Sequence, residues 1–266
     1  MLEKVISIAV GAGEIVMNLR KKGFQSQTKK DSFDFVTSAD IKSEAYILKR
    51  LSKEFPNDSI CSEEKGRVGN NTSRIWMVDP LDGTKDFKNG GTGFSIMIGL
   101  CQDGKPSLGV VYAPAKKLLY FAQHGNGSYL RLEGKDYKLR VSRAEYLKDA
   151  IMVTRIPHGE KREEDKLMDY FNVKEKLPES SGGIKLGLIA EGKAEFHINT
   201  NFRAKKWDIC APQIILEEAG GLVSDFDGNP LDYNTPDNLW SAYFVASNGV
   251  LHKSIIEKIK EFYSRQ

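Results

Sequence analysis

Residues 79–84 read Asp-Pro-Leu-Asp-Gly-Thr. They set two carboxylates, Asp79 and Asp82, on either side of Pro80-Leu81 and directly before Gly83-Thr84. Upstream, Ile75-Trp76-Met77-Val78 is an apolar run bounded by turn residues, the pattern of a buried strand. The carboxylates are therefore expected where a strand ends and the chain bends, the end of an open sheet at which ligands bind. Closely spaced Asp oxygens suit Mg²⁺, a hard cation that takes oxygen ligands together with substrate phosphate. Gly83 permits close approach of the backbone to a ligand. Thr84 can open a short helix whose N–H groups face a phosphate. The same six residues also fit a strand followed by an Asx-type turn with no chemistry.

Three further acidic segments stand beside this one. Ser62-Glu63-Glu64 follows the short apolar run Ser59-Ile60-Cys61; a Glu pair is most often solvated surface. Asp40 ends Val36-Thr37-Ser38-Ala39-Asp40 and opens a helical pattern, where it also reads as an N-cap. Asp208 follows Trp207 and precedes a helix with Pro212 expected in its first turn and Gly220 at its C-terminal stop, so capping explains it as well.

The elements that must position these groups follow from apolar spacing. Helices are expected over 2–22, with Leu2, Val5, Ile6, Ala9, Val10, Val16 and Leu19 on one face, and over 39–55, with Ile41, Ala45, Leu48 and Phe55 inward. Strands are expected at 75–79, 94–100, 108–113 and 118–122, giving a largely antiparallel sheet. After residue 150 the order becomes strand 151–154, helices 160–171 and 182–191, strand 194–198, helix 209–219, strands 221–225 and 242–247, and helix 250–263. That alternation predicts layered α/β structure. The expected division is an N-terminal α+β lobe, 1–148, carrying most of the acidic residues, and a C-terminal α/β lobe, 149–266, carrying Asp208.

Composition excludes several classes. A chain of 266 residues, 40% apolar and 28% charged, is globular and long enough for a substantial core. A net charge of +3 does not call for nucleic acid or an acidic membrane. Cys61, Cys101 and Cys210 are odd in number and lack CxxC spacing, against a disulfide framework or zinc site and in keeping with a reducing compartment. No apolar window reaches the ~18 residues of a membrane span. The start MLEKVISIAVGAGEIV lacks a secretory apolar region. A soluble, cytoplasmic protein is the expectation.

Taken together, VTSAD (36–40), SEE (62–64), WMVDPLDGTKDF (76–87) and WDICAPQIILEEAGG (207–221) resemble the Mg²⁺-dependent, lithium-inhibited phosphatases related to inositol monophosphatase, in order and spacing over nearly the whole chain. The resemblance implies a layered α-β-α-β-α sandwich of the sugar-phosphatase type. It implies two or three Mg²⁺ ions: Glu63, Asp79 and the Leu81 carbonyl at one, Asp79, Asp82 and Asp208 at a second, and Glu63 at a weaker third. It makes Asp40 and Thr84, with Glu63, the catalytic groups, Thr84 orienting the attacking water and passing its proton to Asp40. Gly83 and Thr84 N–H groups would bind the scissile phosphate.

Within the family, the chain looks most like a 3′(2′),5′-bisphosphate nucleotidase. Lys85 stands where inositol phosphatases usually have a second Thr, and Lys205-Lys206-Trp207-Asp208 with Cys210-Ala211-Pro212 resembles the animal-type nucleotidases. Ser181-Gly182-Gly183-Ile184-Lys185 occupies the stretch with a lysine near the 5′-phosphate, so Gly182, Gly183, Lys185 and Asp208 are the expected substrate-binding residues. The implied reaction removes the 3′-phosphate of 3′-phosphoadenosine 5′-phosphate, with its sulfated precursor as a second candidate. The implied partner is a small phosphate ester, and the assembly a monomer or homodimer. Inositol or sugar phosphate hydrolysis is the alternative inside the family; a degenerate metal-dependent binding or regulatory protein is the alternative outside it.

Two departures bear on substrate. Residues 198–206, INTNFRAKK, contain no acid where inositol phosphatases place the Glu that grips inositol hydroxyls, and Asn199 stands where some nucleotidases carry an Arg; Arg203, Lys205 and Lys206 are the nearby cations. Rival chemistries fit less well. Asp82-Gly83-Thr84 matches the tail of a dehalogenase-type DxDGT loop, but Pro80 occupies the place of its nucleophilic Asp. The four histidines show no zinc spacing, and neither GxSxG nor a full dinucleotide loop occurs.

Overall fold

The computed structural model describes residues 1–28, 35–156, 163–200, 204–234 and 243–265. The chain begins with α1 (Leu2–Lys22), β1 (Ser26–Thr28), β2 (Phe35–Thr37) and α2 (Ser38–Glu54). Next come β3 (Ser59–Ser62), β4 (Gly66–Val68), β5 (Arg74–Asp82), α3 (Thr84–Lys88) and the run β6 (Ser95–Gln102), β7 (Lys105–Ala113), β8 (Leu118–Gln123), β9 (Ser128–Leu132) and β10 (Lys135–Lys138). The second half holds β11 (Ile151–Thr154), α4 (Glu163–Tyr170), β12 (Glu175–Pro178), α5 (Gly182–Ala190), β13 (Phe196–Asn199), α6 (Lys206–Glu218), β14 (Leu222–Asp225), β15 (Phe244–Ser247) and α7 (His252–Ser264).

Two large sheets and three helical layers result, with β1 and β2 forming a separate antiparallel pair. The larger sheet runs β10-β9-β8-β7-β6-β5-β3-β4, antiparallel throughout except for the parallel pair β3/β5. The smaller runs β12-β11-β13-β15-β14, with β11 parallel to both of its neighbours. Helices α1 and α2 cover one face of the large sheet, α5 and α6 lie between the sheets, and α4 and α7 pack beyond the small one. This is the expected α-β-α-β-α sandwich. One apolar cluster runs from Met77 and Met97 on the large sheet through Ile189, Trp207 and Ile215 to Val153 and Ala246 on the small sheet. The N-terminus of α6 is thereby fixed against β5 and β6.

Several elements differ from the sequence reading. The inward face of α2 is Asp40, Ser43, Glu44, Ile47 and Leu51, whereas Ile41 is 53% exposed. The apolar spacing misled because the first turns of α2 face other polar groups rather than the core. Strand β5 continues through Asp82 instead of ending at Asp79. Helix α6 starts at Lys206, so Pro212 falls in its second turn; a proline there removes the helical hydrogen bond to the Asp208 carbonyl. Strands β9, β10 and β12 lie outside the expected strands; β10 is Lys-Asp-Tyr-Lys, exposed along its length and without a buried face. Residues 160–162 of the helix expected over 160–171, residue 242 of the last expected strand, and Arg203 lie outside the described residues.

Candidate active site

The pairing of β5 with β6 slips between Asp79 and Asp82: Asp79 opposes Met97, and Asp82 opposes Ser95. Two residues, Pro80 and Leu81, thus stand against the single Ile96, a β-bulge. Its consequence is geometric. Side chains alternate along a strand, so residues three apart face opposite ways; one inserted residue restores them to one face. A bulge is also where a strand tolerates proline.

Next to this bulge the parallel pair β3/β5 ends. The Glu63 N–H donates to the Val78 carbonyl at 3.2 Å, which extends the pairing and brings Glu63 beside Asp79. Asp208 arrives from the central layer, in the first turn of α6, with its Oδ2 accepting the Lys205 N–H at 2.8 Å. Asp40 and Asp208 are thus third-position residues of helices and not N-caps; Thr37 caps α2 in a capping box with Asp40.

Burial, and then the charges of Glu63, Asp82 and Asp208, push the Asp79 carboxyl well above the usual carboxylate range. Burial likewise raises Asp208 well above it, with Glu63 and Asp82 adding to the shift and Lys205 opposing it. Three segments, the turn after β3, the end of β5 and the first turn of α6, therefore bring four like charges close enough to repel one another. Each aspartate is also tied to a local donor. Asp79 Oδ1 accepts the Leu81 N–H at 2.9 Å, and Asp82 Oδ2 accepts the Ser181 hydroxyl and, at 3.2 Å, the Gly183 N–H. Among the described residues, no three Asp, Glu, His or Cys side chains are yet gathered into a closed cage around an ion. The donor set nonetheless fits Mg²⁺: all oxygen, strongly anionic and mutually repelling, it needs a hard cation for neutrality.

Gly83 has φ +85°, and a Cβ there would stand 2.4 Å from the Gly93 carbonyl oxygen. Only glycine fits this left-handed turn into α3. Thr84 follows, its hydroxyl 3.1 Å from Asp40 Oδ1 and 2.9 Å from the Leu81 carbonyl. Burial raises the Asp40 carboxyl, against the opposing effect of donors from Thr37 and Thr84.

Helix α2 anchors the site through residues the sequence reading passed over. Ser43 donates to the Pro80 carbonyl at 2.8 Å and pins the bulge; Glu44 accepts the Glu64 and Lys65 N–H groups at 2.9 and 3.1 Å and pins the Glu63 turn. Asp40, Ser43 and Glu44 are spaced i, i+3, i+4, a buried polar stripe on one helix face. That spacing was available in the sequence as a signal. Ser95 and Ser181, 2.9 Å apart between their hydroxyls, were missed because single serines carry no pattern.

The expected substrate residues sit differently. A Cβ on Gly183 would meet Val111, Met97 and Ser95 at 2.7–2.8 Å, so this glycine lets α5 close onto the large sheet. Gly182 borders Asp82 and the Asp208 carbonyl, with room for ordinary contact. Lys185 is 8% exposed, and its charge acts on both Asp82 and His197. Lys206 turns inward at 2% exposure and donates to the Tyr233 carbonyl at 3.1 Å. Lys205 lies 6.0 Å from the Trp207 ring.

The model of the inositol monophosphatase family matches residues 1–263. The chain belongs to the inositol monophosphatase family. An inositol-1-monophosphatase of Mesorhizobium japonicum is 34% identical over 86% of this chain and 84% of its own. The protein named Nus factor SuhB of Pasteurella multocida is 31% identical, covering 97% of both chains. The crystal structure of the extragenic suppressor protein suhB from Bartonella henselae superposes with a TM-score of 0.85 at 26% identity, covering 97% of each chain. The family is one of metal-dependent phosphatases. The relatives favour the inositol phosphatase alternative over the nucleotidase subtype expected from Lys85 and the Lys205-Lys206 run. Among the described residues, no helix is long and apolar enough to cross a membrane.

Proposed function

We propose that this family member is a Mg²⁺-dependent phosphomonoesterase whose substrate is the monophosphate of a polyol or sugar, with inositol 1-phosphate as its representative. The observation that carries this reading is the convergence of Glu63, Asp79, Asp82 and Asp208 beside the Thr84–Asp40 pair. Glu63, Asp79, Asp82, Asp208 and the Leu81 carbonyl would hold the ions. Bound there, Mg²⁺ would offset the charge of the phosphate dianion and acidify water.

The chain's own groups then do the positioning. The Thr84 hydroxyl has one proton; given to Asp40, it leaves the oxygen free to accept from a water and align it on phosphorus. Gly83 and Thr84 N–H groups, at the start of α3, would bind the phosphate oxygens. No side chain needs to be phosphorylated. Because residues 198–206 contain no acid to grip ring hydroxyls, a high KM for inositol 1-phosphate is expected.

The deciding experiment is phosphate release by the purified protein with and without Mg²⁺, using inositol 1-phosphate, fructose 1,6-bisphosphate and 3′-phosphoadenosine 5′-phosphate. Metal-dependent turnover of a polyol or sugar phosphate supports the reading. Preference for the nucleotide restores the nucleotidase, and no turnover of any substrate supports the binding-protein alternative. Retention of all four carboxylates argues for the enzyme.

A further inference from the structure

A cavity of about 700 Å³ opens at the end of α6 remote from Asp208. From Asp208 to Glu217 along the helix is about 13 Å at the standard rise per residue, so this cavity is separate from the carboxylate site. Its apolar floor is Leu100 and Leu108 of the large sheet, Ile214 of α6 and Leu231. A second β-bulge shapes its wall. Leu100 opposes Leu108 and Cys101 opposes Pro106, leaving Ser107 as the extra residue, with its hydroxyl turned back to the Leu100 carbonyl at 3.1 Å.

One polar group in the cavity is only half used. Tyr233 donates its hydroxyl to Gln213 Oε1 at 2.8 Å, which fixes the orientation of that amide, and Gln213 Nε2 donates to Glu217 Oε1 at 2.8 Å. Glu217 Oε2 receives no hydrogen bond from any described residue. The neighbouring carboxylate differs: both Glu218 oxygens are taken, by the Gly125 and Gly127 N–H groups at 2.8 Å each, with His124 at 3.3 Å. The last turn of α6 has no basic residue, and its terminal carbonyls add negative potential at this end. Met1, Asp103, Lys105 and His124 also border the cavity; burial raises the Glu217 carboxyl, and the Gln213 hydrogen bond and the His124 charge oppose that rise.

An apolar floor, an open carboxylate oxygen and a helix C-terminus together select a cation with a hydrophobic body. We propose that this cavity is a second ligand site that binds a small organic ammonium, with the ammonium on Glu217 Oε2 and the apolar body on Leu100, Leu108, Ile214 and Leu231.

Benzylammonium and its uncharged counterpart, benzyl alcohol, test this in Mg²⁺-containing buffer, where the carboxylate site does not compete for the cation. Binding to the full chain is followed by amide chemical shifts. Benzylammonium is expected to bind at least ten-fold tighter than benzyl alcohol, with shifts centred on Ser107, Ile214 and Glu217. Glu217→Gln should abolish the preference, and Glu217→Asp should retain part of it. Equal binding of the two probes, a preference that survives Glu217→Gln, shifts centred on Asp79 and Asp208, or no saturable binding each overturns the proposal. The shift map of the unmodified protein decides the matter even if Glu217→Gln does not fold.

Discussion

The Ser181 hydroxyl donates to Oδ2 of Asp82, a residue 99 positions earlier in the chain, and so ties the N-terminus of the central helix α5 to the bulged end of β5. The Ser181 Oγ also accepts the Ile184 N–H at 3.2 Å as the helix cap and lies 2.9 Å from the Ser95 hydroxyl. With Oδ2 held by Ser181 and Gly183, Asp82 keeps Oδ1 for other work. Ser181→Ala is expected to raise the Mg²⁺ concentration for half-maximal activity about ten-fold, as loss of an outer-shell partner does. Loss of the cap should lower stability by about 1 kcal/mol. Ser181→Thr should recover most of the metal dependence. An unchanged Mg²⁺ titration in Ser181→Ala would show that Asp82 needs no such support.

Asp79→Asn and Asp208→Asn separate the roles of charge in folding and in turnover. Both carboxyls are raised by burial and mutual repulsion, so neutralising either one relieves the metal-free protein of unfavourable charge. The melting temperature in chelator is expected to hold or rise. Turnover in Mg²⁺ is expected to fall by about 10³-fold, on the order of 4 kcal/mol of barrier. Mg²⁺ should stabilise the unmodified protein by mass action and the variants much less. Melting scans with and without Mg²⁺, alongside phosphate release, check both halves; a variant with near-normal turnover and metal dependence would sink the assignment.

The grouping of these residues was legible in the sequence because they are concentrated in a few motifs. DPLDGT and the WD in the first turn of α6 hold Asp79, Asp82, Thr84 and Asp208 within short segments, and a glycine at 83 is compatible with the left-handed turn found there. What the sequence did not reveal is what supports them. The bulge at Pro80-Leu81 depends on pairing with β6, which spacing within one strand does not disclose. Ser43 and Glu44 were hidden by an apolar pattern on the opposite face of α2, centred on an Ile41 that proves exposed. Lys206 reads in the sequence only as a nearby cation; its burial follows from where α6 begins. Exposed edge strands such as β10 have no buried face to impose a period.

His197 gives the fold a pH dependence of known sign. It is 3% exposed, and its Nδ1 lies 2.8 Å from the Val153 carbonyl; since a carbonyl only accepts, Nδ1 carries the proton. Burial first, and then the Lys185 charge, lowers its pKa from 6.5 to about 3. Between those values the unfolded chain binds the proton and the folded chain does not, so this stability is present above pH 6.5 and is lost as pH falls. The loss from pH 7 to pH 5 should be about 2 kcal/mol. Urea unfolding of the protein and of His197→Gln at both pH values, in saturating Mg²⁺, checks it. The variant should show less acid sensitivity by about that amount, since the other titrations cancel in the difference. Equal acid sensitivity would mean that His197 is protonated in the fold.

Substrate choice turns on where the cations go. The bisphosphate reading needs a basic group free to meet a second phosphate, and two of the residues offered for it are engaged inside. Lys185 is buried and acts on Asp82 and His197, and Lys206 reaches the Tyr233 carbonyl. Inositol 1-phosphate is therefore expected to have the higher kcat/KM than 3′-phosphoadenosine 5′-phosphate. Lys185→Ala should then depress both reactions alike, through kcat, because it removes a charge that stabilises the Asp82 carboxylate. A lysine that contacts a second phosphate would behave otherwise: its loss would raise KM for the bisphosphate alone, by about 10-fold or more for a charge-assisted hydrogen bond. Steady-state kinetics of both proteins on both substrates distinguishes the cases. A bisphosphate preference that disappears in Lys185→Ala would return the protein to the nucleotidase branch and leave the carboxylate site as described.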